Sequence, residues 1–190
     1  MKTLLKTALT AVLSTAILVG CGGSAPSPEK QAANAQKAAE TVVMDFVKAA
    51  AQADFDTADK LVFMGDNEVA TFWMVMKQQI RDCKKAETEG HLPDNIFMTF
   101  DFEAFHHPTL DDIVKTLLAT AEGELAAYGV SDFRMVVLKL TPHAETVKEY
   151  GSDKRRLLYT VAVCKDGVWK VIPNILEPLD IELEDLEKMP

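Results

Sequence analysis

The spacing of hydrophobic positions changes several times along this chain, and each change predicts an element. The first apolar run covers residues 8–19, follows Lys2 and Lys6, and is interrupted only by Thr10, Ser14 and Thr15. It is about a dozen residues long, short of the roughly 20 that a membrane-spanning helix needs and matched to the apolar core of a secretory signal. Residues 22–37, GGSAPSPEKQAANAQK, show no apolar stripe and predict a tether, with EKQAANAQ able to extend a following helix. From residue 38 the period is helical, with Ala39, Val43, Phe46, Val47 and Ala50 on one face. Asp56 then serves as the expected N-cap of a short second helix. A third helix is predicted over 67–86, where Val69, Phe72, Trp73, Met76, Ile80 and Cys83 make a broad core-facing stripe.

Residues 95–105, NIFMTFDFEAF, alternate Ile96, Met98, Phe100 and Phe102 with more polar neighbours and predict a strand. A helix follows, with Thr109 as its expected N-cap, Asp112 in the first turn, and Ile113, Leu117, Leu118 and Ala121 as its apolar face. From residue 132 the period becomes two. FRMVVLKL, residues 133–140, and RRLLYTVAVC, residues 155–164, predict strands. Asp166-Gly167 predicts a two-residue hairpin turn, and VWKVIPNI a returning strand that Pro173 should disturb. The acidic tail over 177–190 is expected to be a solvated end or a short closing segment. Helices followed by antiparallel strands make the chain an α+β protein with one domain over 38–176.

Composition narrows the class of partner. The chain has 190 residues, 20 Lys plus Arg against 29 Asp plus Glu, and a net charge of −9. Removing residues 1–20 takes away Lys2 and Lys6, so 18 cations face 29 anions and the charge becomes −11. Such a chain carries no electrostatic footprint for nucleic acid, and anionic lipid should repel it.

The first apolar run ends in Leu18-Val19-Gly20-Cys21. This order, at its distance from the charged start, resembles the lipobox of bacterial lipoprotein signal peptides. The resemblance implies that residues 1–20 are removed and that Cys21 becomes the first residue, diacylated on sulfur through a glyceryl thioether and usually acylated on its amino group. Two or more acyl chains, at about 0.8 kcal/mol per buried methylene, hold a protein stably on a membrane. An ordinary signal in which Cys21 is incidental is the alternative. Gly22 in place of an aspartate implies the periplasmic face of the outer membrane, which puts the protein in the cell envelope as a membrane-bound, palmitate-carrying lipoprotein on a tether of residues 21–37.

The step QADFDTADKLV between two helices, the later antiparallel strands and the closing hairpin VAVCKDGVWKV together resemble small lipoprotein members of the nuclear-transport-factor-2-like superfamily over about residues 38–175. That resemblance implies an α+β cone, in which helices pack on a curved antiparallel sheet. It also implies a homodimer paired through the open sheet face. Residues 87–131 depart from the family pattern. The family holds binding modules, assembly factors and some isomerases and dehydratases, so the fold does not name a function. No catalytic motif of its enzymes can be carried onto this chain.

Several residues invite chemistry. With Cys21 used for lipidation, Cys83 and Cys164 remain, and in an exported chain they read either as a disulfide or as two buried free thiols. His106 and His107 stand beside Asp111 and Asp112, with His91 and His143 elsewhere. Adjacent histidines point apart, so no metal site is expected and the pair reads as a turn before a helix. Phe72, Trp73, Met76, Tyr159 and Trp169 could line a pocket for a small apolar ligand, or could simply pack with Met74, Met98, Phe100 and Phe102. Asp101 and Glu103 are expected to face water, and either would be a candidate general base only if turned into a cavity.

No catalytic constellation and no cofactor motif is legible. The leading expectation is a non-enzymatic, membrane-anchored periplasmic binding or interaction module for a small apolar ligand or an envelope protein. One rival is an isomerase or dehydratase acting on a hydrophobic molecule in the cone. The other is an acidic scaffold that docks a basic envelope protein.

Overall fold

A computed structural model describes residues 27–65, 67–92, 94–179, 181 and 183–186. Cys21 and the apolar run before it lie outside these residues.

Helix α1 (Pro28–Gln52) begins ten residues before residue 38 and takes in EKQAANAQ, the part of the tether expected to be able to extend it. Ser27 explains the start: its hydroxyl accepts from the Lys30 amide at 3.4 Å, and Pro28 suits the first helical position, where no N–H is needed. The helix stops at Ala53, which adopts a left-handed conformation with φ 57°. Helix α2 (Phe55–Leu61) is capped by Asp54, not Asp56. The Asp54 carboxylate accepts from the Thr57 amide at 3.1 Å, while Asp56 sits in the first turn. Helix α3 (Asn67–Thr88) buries Val69, Trp73 and Ile80 of its predicted stripe, half-buries Met76 and Cys83, and leaves Phe72 exposed.

The stretch predicted as one strand divides in two. Helix α4 (Ile96–Thr99) is a single turn, capped by the Asn95 side chain on the Phe97 amide at 3.0 Å, and only then does β1 (Phe100–Ala104) run extended. Helix α5 (Pro108–Ala127) is capped by His107, two residues earlier than Thr109: the imidazole Nδ1 accepts from the Thr109 amide at 3.3 Å. Strand β2 (Asp132–Pro142), helix α6 (Ala144–Tyr150), strand β3 (Arg156–Lys165), strand β4 (Val168–Pro178) and helix α7 (Leu183–Leu186) follow.

The strands form one curled antiparallel sheet in the order β1-β2-β3-β4. Asp166 and Gly167 both have positive φ, 53° and 79°, as the two central residues of a tight hairpin turn require. Pro173 does not end β4. Val161 pairs with Ile172 and Thr160 with Leu176, so residues 173–175 bulge out of the ladder. A bulge is where a strand tolerates a residue without an N–H.

Both faces of the sheet are covered. Val136, Leu138 and Leu140 of β2, Leu158 and Ala162 of β3, and Val171 of β4 pack against α1, α2, α3 and α4 through Val43, Phe46, Ala58, Trp73, Ile80 and Phe97. On the other face Val137 and Leu157 meet Leu110 of α5 and Leu183 and Leu186 of α7. Val161, Val163 and Ile172 meet Leu125 of α5 together with Phe63 and Val69. Of the two readings of the tail, α7 fits the short closing segment: Leu183 and Leu186 are 1% and 0% exposed. The face expected to be open for a homodimer carries α5 and α7 instead.

Candidate functional site

The interior between the first helix layer and the sheet is filled. Trp73 is fully buried, 5.3 Å from the Phe46 ring and 6.4 Å from the Phe55 ring between centroids, and Phe46 meets Phe97 edge-on at 5.9 Å. The Trp73 indole donates to Asp59 Oδ1 at 2.6 Å, and Lys77 pairs with the same carboxylate at 2.9 Å. Burial pushes the Asp59 carboxyl up, but the hydrogen bonds from Trp73 and Lys77, with the Lys77 and Arg81 charges, outweigh it and hold the group below its ordinary range. A carboxylate held low by donors that anchor a tryptophan is structural and a weak base.

The five side chains proposed to line one pocket do not meet in one. Trp73, Met76 and Trp169 belong to the core under α1 and α3. Phe72 is on the solvent side of α3, 39% exposed. Tyr159 packs with the cluster on the opposite face of the sheet, beside α5 and α7. Its hydroxyl donates to Glu177 at 2.6 Å, and that bond, with burial and the Glu177 charge, pushes the phenol up to about 12. None of the five residues lines any of the described clefts. Asp101 and Glu103 face outward on β1, as expected, where Asp101 meets His143 at 3.2 Å and Glu103 pairs with Lys139. Cys83, half-buried on α3, and Cys164, buried at the end of β3, are both free thiols. Among the described residues no group of three or more His, Cys, Asp or Glu side chains is placed to hold a metal ion.

What the fold offers is on its surface, at the two ends of β1. Where β1 runs into α5, a cleft of about 190 Å³ opens between the first half of α1, the start of α5 and β2. Gln36 and Glu40, one turn apart on α1, face it. Glu40 Oε1 accepts from the Gln36 amide at 2.9 Å and lies 3.1 Å from His106 Nε2, while Gln36 also donates to the Met135 carbonyl at 3.3 Å. Phe105, His107, Leu110, Asp111 and Val137 complete the wall. The two histidines do different work: His107 caps α5, and His106 reaches back to α1.

The second cleft, about 330 Å³, runs between the later half of α1 and the outer side of β1. Met44, Val47 and Ala51 come from the helix, Phe97 and Phe102 stack at 5.8 Å beside them, and Asp45, Lys48 and Asp101 stand at its rim. Gln36, Glu40 and Met44 were not singled out from the sequence. Gln36 falls in the segment read as a tether, and Glu40 lies among polar residues off the apolar stripe. Their i, i+4 spacing, continued from 36 through 40 to 44, was the signal available.

No described helix is long and apolar enough to cross a membrane. Comparison with protein-family models, with curated proteins and with solved structures finds no match to this chain.

Proposed function

We propose that this protein is a lipid-anchored module of the cell envelope, built on a nuclear-transport-factor-2-like cone, and that it binds a partner at its surface and performs no chemistry. The observation that carries the placement is Leu18-Val19-Gly20-Cys21 at the end of an apolar run too short to span a bilayer. Binding at the surface is supported by the filling of the interior, where Trp73 and Ile80 are fully buried in the core, and by the clefts that open outward beside β1. The same filling counts against an isomerase or dehydratase, which requires an acid or base inside an apolar cavity. The carboxylates that face clefts, Glu40, Asp45, Asp101 and Asp111, favour a partner that presents basic groups, as the acidic-scaffold reading holds.

The test is a Cys21→Ser variant followed through cell fractionation, beside the unaltered chain grown with labelled palmitate. The expected result is label and membrane attachment for the unaltered chain and release of the variant to the soluble fraction. An unaltered chain that takes up no label, with a variant that stays on the membrane, would reject the anchor.

A further inference from the structure

Strand β1 lies at one end of the sheet order, so among the described residues its outer side has no neighbouring strand. The register decides which backbone groups are exposed there. The Phe105 amide donates to the Val137 carbonyl at 2.9 Å, and the Thr99 carbonyl accepts from the His143 amide at 3.0 Å. Both continue the pairing that runs from Phe100↔Pro142 to Ala104↔Leu138. In an antiparallel ladder, residues alternate between bonding one neighbour and the other. The odd-numbered residues therefore bond to β2, and Phe100, Phe102 and Ala104 turn their N–H and C=O groups outward.

Beside this edge lies the cleft floored by Met44, Val47 and Ala51 of α1. It occupies the position that the inward side chains of a fifth strand would take. On the other face the same edge carries Asp101 and Glu103, whose side chains are 80% and 66% exposed even with His143 and Lys139 beside them. Cross-strand neighbours of opposite charge stabilise a sheet, and like charges oppose pairing. A second copy of β1 would set Asp101 and Glu103 against themselves. A basic segment would meet them favourably, and the net charge of −9 adds to that preference.

We infer that β1 takes up an extended segment of a basic protein as a fifth strand, with apolar residues turned into the α1 cleft and Lys or Arg residues set against Asp101 and Glu103. Main-chain bonds to Phe100, Phe102 and Ala104 supply the attachment, and the cleft and carboxylates supply the selection. The inference rests on the binding-module reading for its biological sense, but its geometry does not depend on the lipid.

The probe is a capped seven-residue peptide alternating Val and Lys, titrated into the full chain carrying Cys21→Ser and labelled for amide NMR. The expected result is saturable shifts at Phe100, Phe102 and Ala104 with slowed exchange of those amides. Methylating alternate peptide nitrogens should weaken binding by about tenfold or more, because it removes the strand-pairing donors. A Val-Glu peptide should not bind, and the double variant Asp101→Lys with Glu103→Lys should reverse the preference. Equal binding of the methylated peptide, shifts gathered elsewhere on the surface, or a chain that already pairs with itself through β1 would each overturn the inference. Peptide binding that fails while Cys21 is acylated leaves the anchor standing, and the converse result leaves the fifth-strand site standing.

Discussion

Replacing Trp73 with alanine tests whether the interior is packing and nothing else. Trp73 has no exposed surface and touches Phe46 and Phe55 at ring-to-ring distances of 5.3 and 6.4 Å. Truncating a fully buried tryptophan costs about 3–5 kcal/mol through lost transfer energy and the cavity left behind. The hydrogen bond to Asp59 adds at the low end of the range for a charged acceptor, about 1.5 kcal/mol, because water can replace the indole at a carboxylate whose side chain is 44% accessible and still holds Lys77. Together these come to about 4.5–6.5 kcal/mol, a large share of the roughly 5–15 kcal/mol that holds a domain folded. Trp73→Phe keeps much of the ring contact and removes the N–H, so it should cost about 1–2 kcal/mol. Urea unfolding of the Cys21→Ser chain at neutral pH, followed by far-ultraviolet circular dichroism, measures both. A Trp73→Ala chain that loses less than about 2 kcal/mol would show that the site is not the packed centre described here. An alanine variant that instead binds small apolar molecules in the new space, with the parent binding none, would support the filled-interior argument directly.

Asp59 makes stability depend on acid. Its carboxyl is held low in the folded chain, so its contribution is present above the unfolded value near about 3.9 and is lost as pH falls through the folded value. The stability gap between the parent and Asp59→Asn should therefore narrow between about pH 5 and pH 3, and a gap that stays constant over that range would refute the assignment. Among the described residues the buried Thr160 hydroxyl has no hydrogen-bond partner, so Thr160→Val should leave stability unchanged or raise it by about 1 kcal/mol in the same unfolding assay. Leu186→Ala should cost about 2–4 kcal/mol, since Leu186 is fully buried against the sheet; a cost near zero would restore the solvated-tail reading. Ala53→Gly should raise the thermal midpoint slightly, because Ala53 holds φ 57° at the end of α1, where glycine is unstrained.

Long periodic segments were legible in the sequence, and for a physical reason. The α3 stripe and the alternation over 133–140 and 155–164 report burial on one face or both, and burial is what the fold reproduces. The errors lie where local hydrogen bonds decide. Ser27 and Pro28 start a helix inside a stretch whose composition reads as a tether. Asp54 outcompetes Asp56 as a cap, and His107 outcompetes Thr109. Asn95 winds residues 96–99 into one turn although their alternation reads as strand. Pro173 is absorbed by a bulge that depends on the β3 register, which no local pattern reveals. Leu183 and Leu186 looked like part of an acidic tail because their partners, Leu110, Val137 and Leu157, are distant in sequence. The clefts were illegible for the same reason: Glu40 meets His106 across 66 positions, 106 minus 40, and nothing near either residue announces the other. The aromatic set misled in the opposite direction, since side chains suited to lining a pocket are also those that fill one.

The early start of α1 has a consequence for reach. Only residues 22–27 separate Cys21 from Pro28, and six residues have a contour length of about 20 Å when fully drawn out. With Cys21 acylated as proposed, the first turn of α1 stays within that distance of the bilayer surface. A helix of 25 residues then projects about 37 Å, with Glu40 about midway and the Met44–Ala51 groove toward its far end. A leash this short would confine the protein to partners that themselves come within a few tens of ångströms of the membrane, and lengthening it with inserted Gly-Ser repeats would widen that zone without altering the fold.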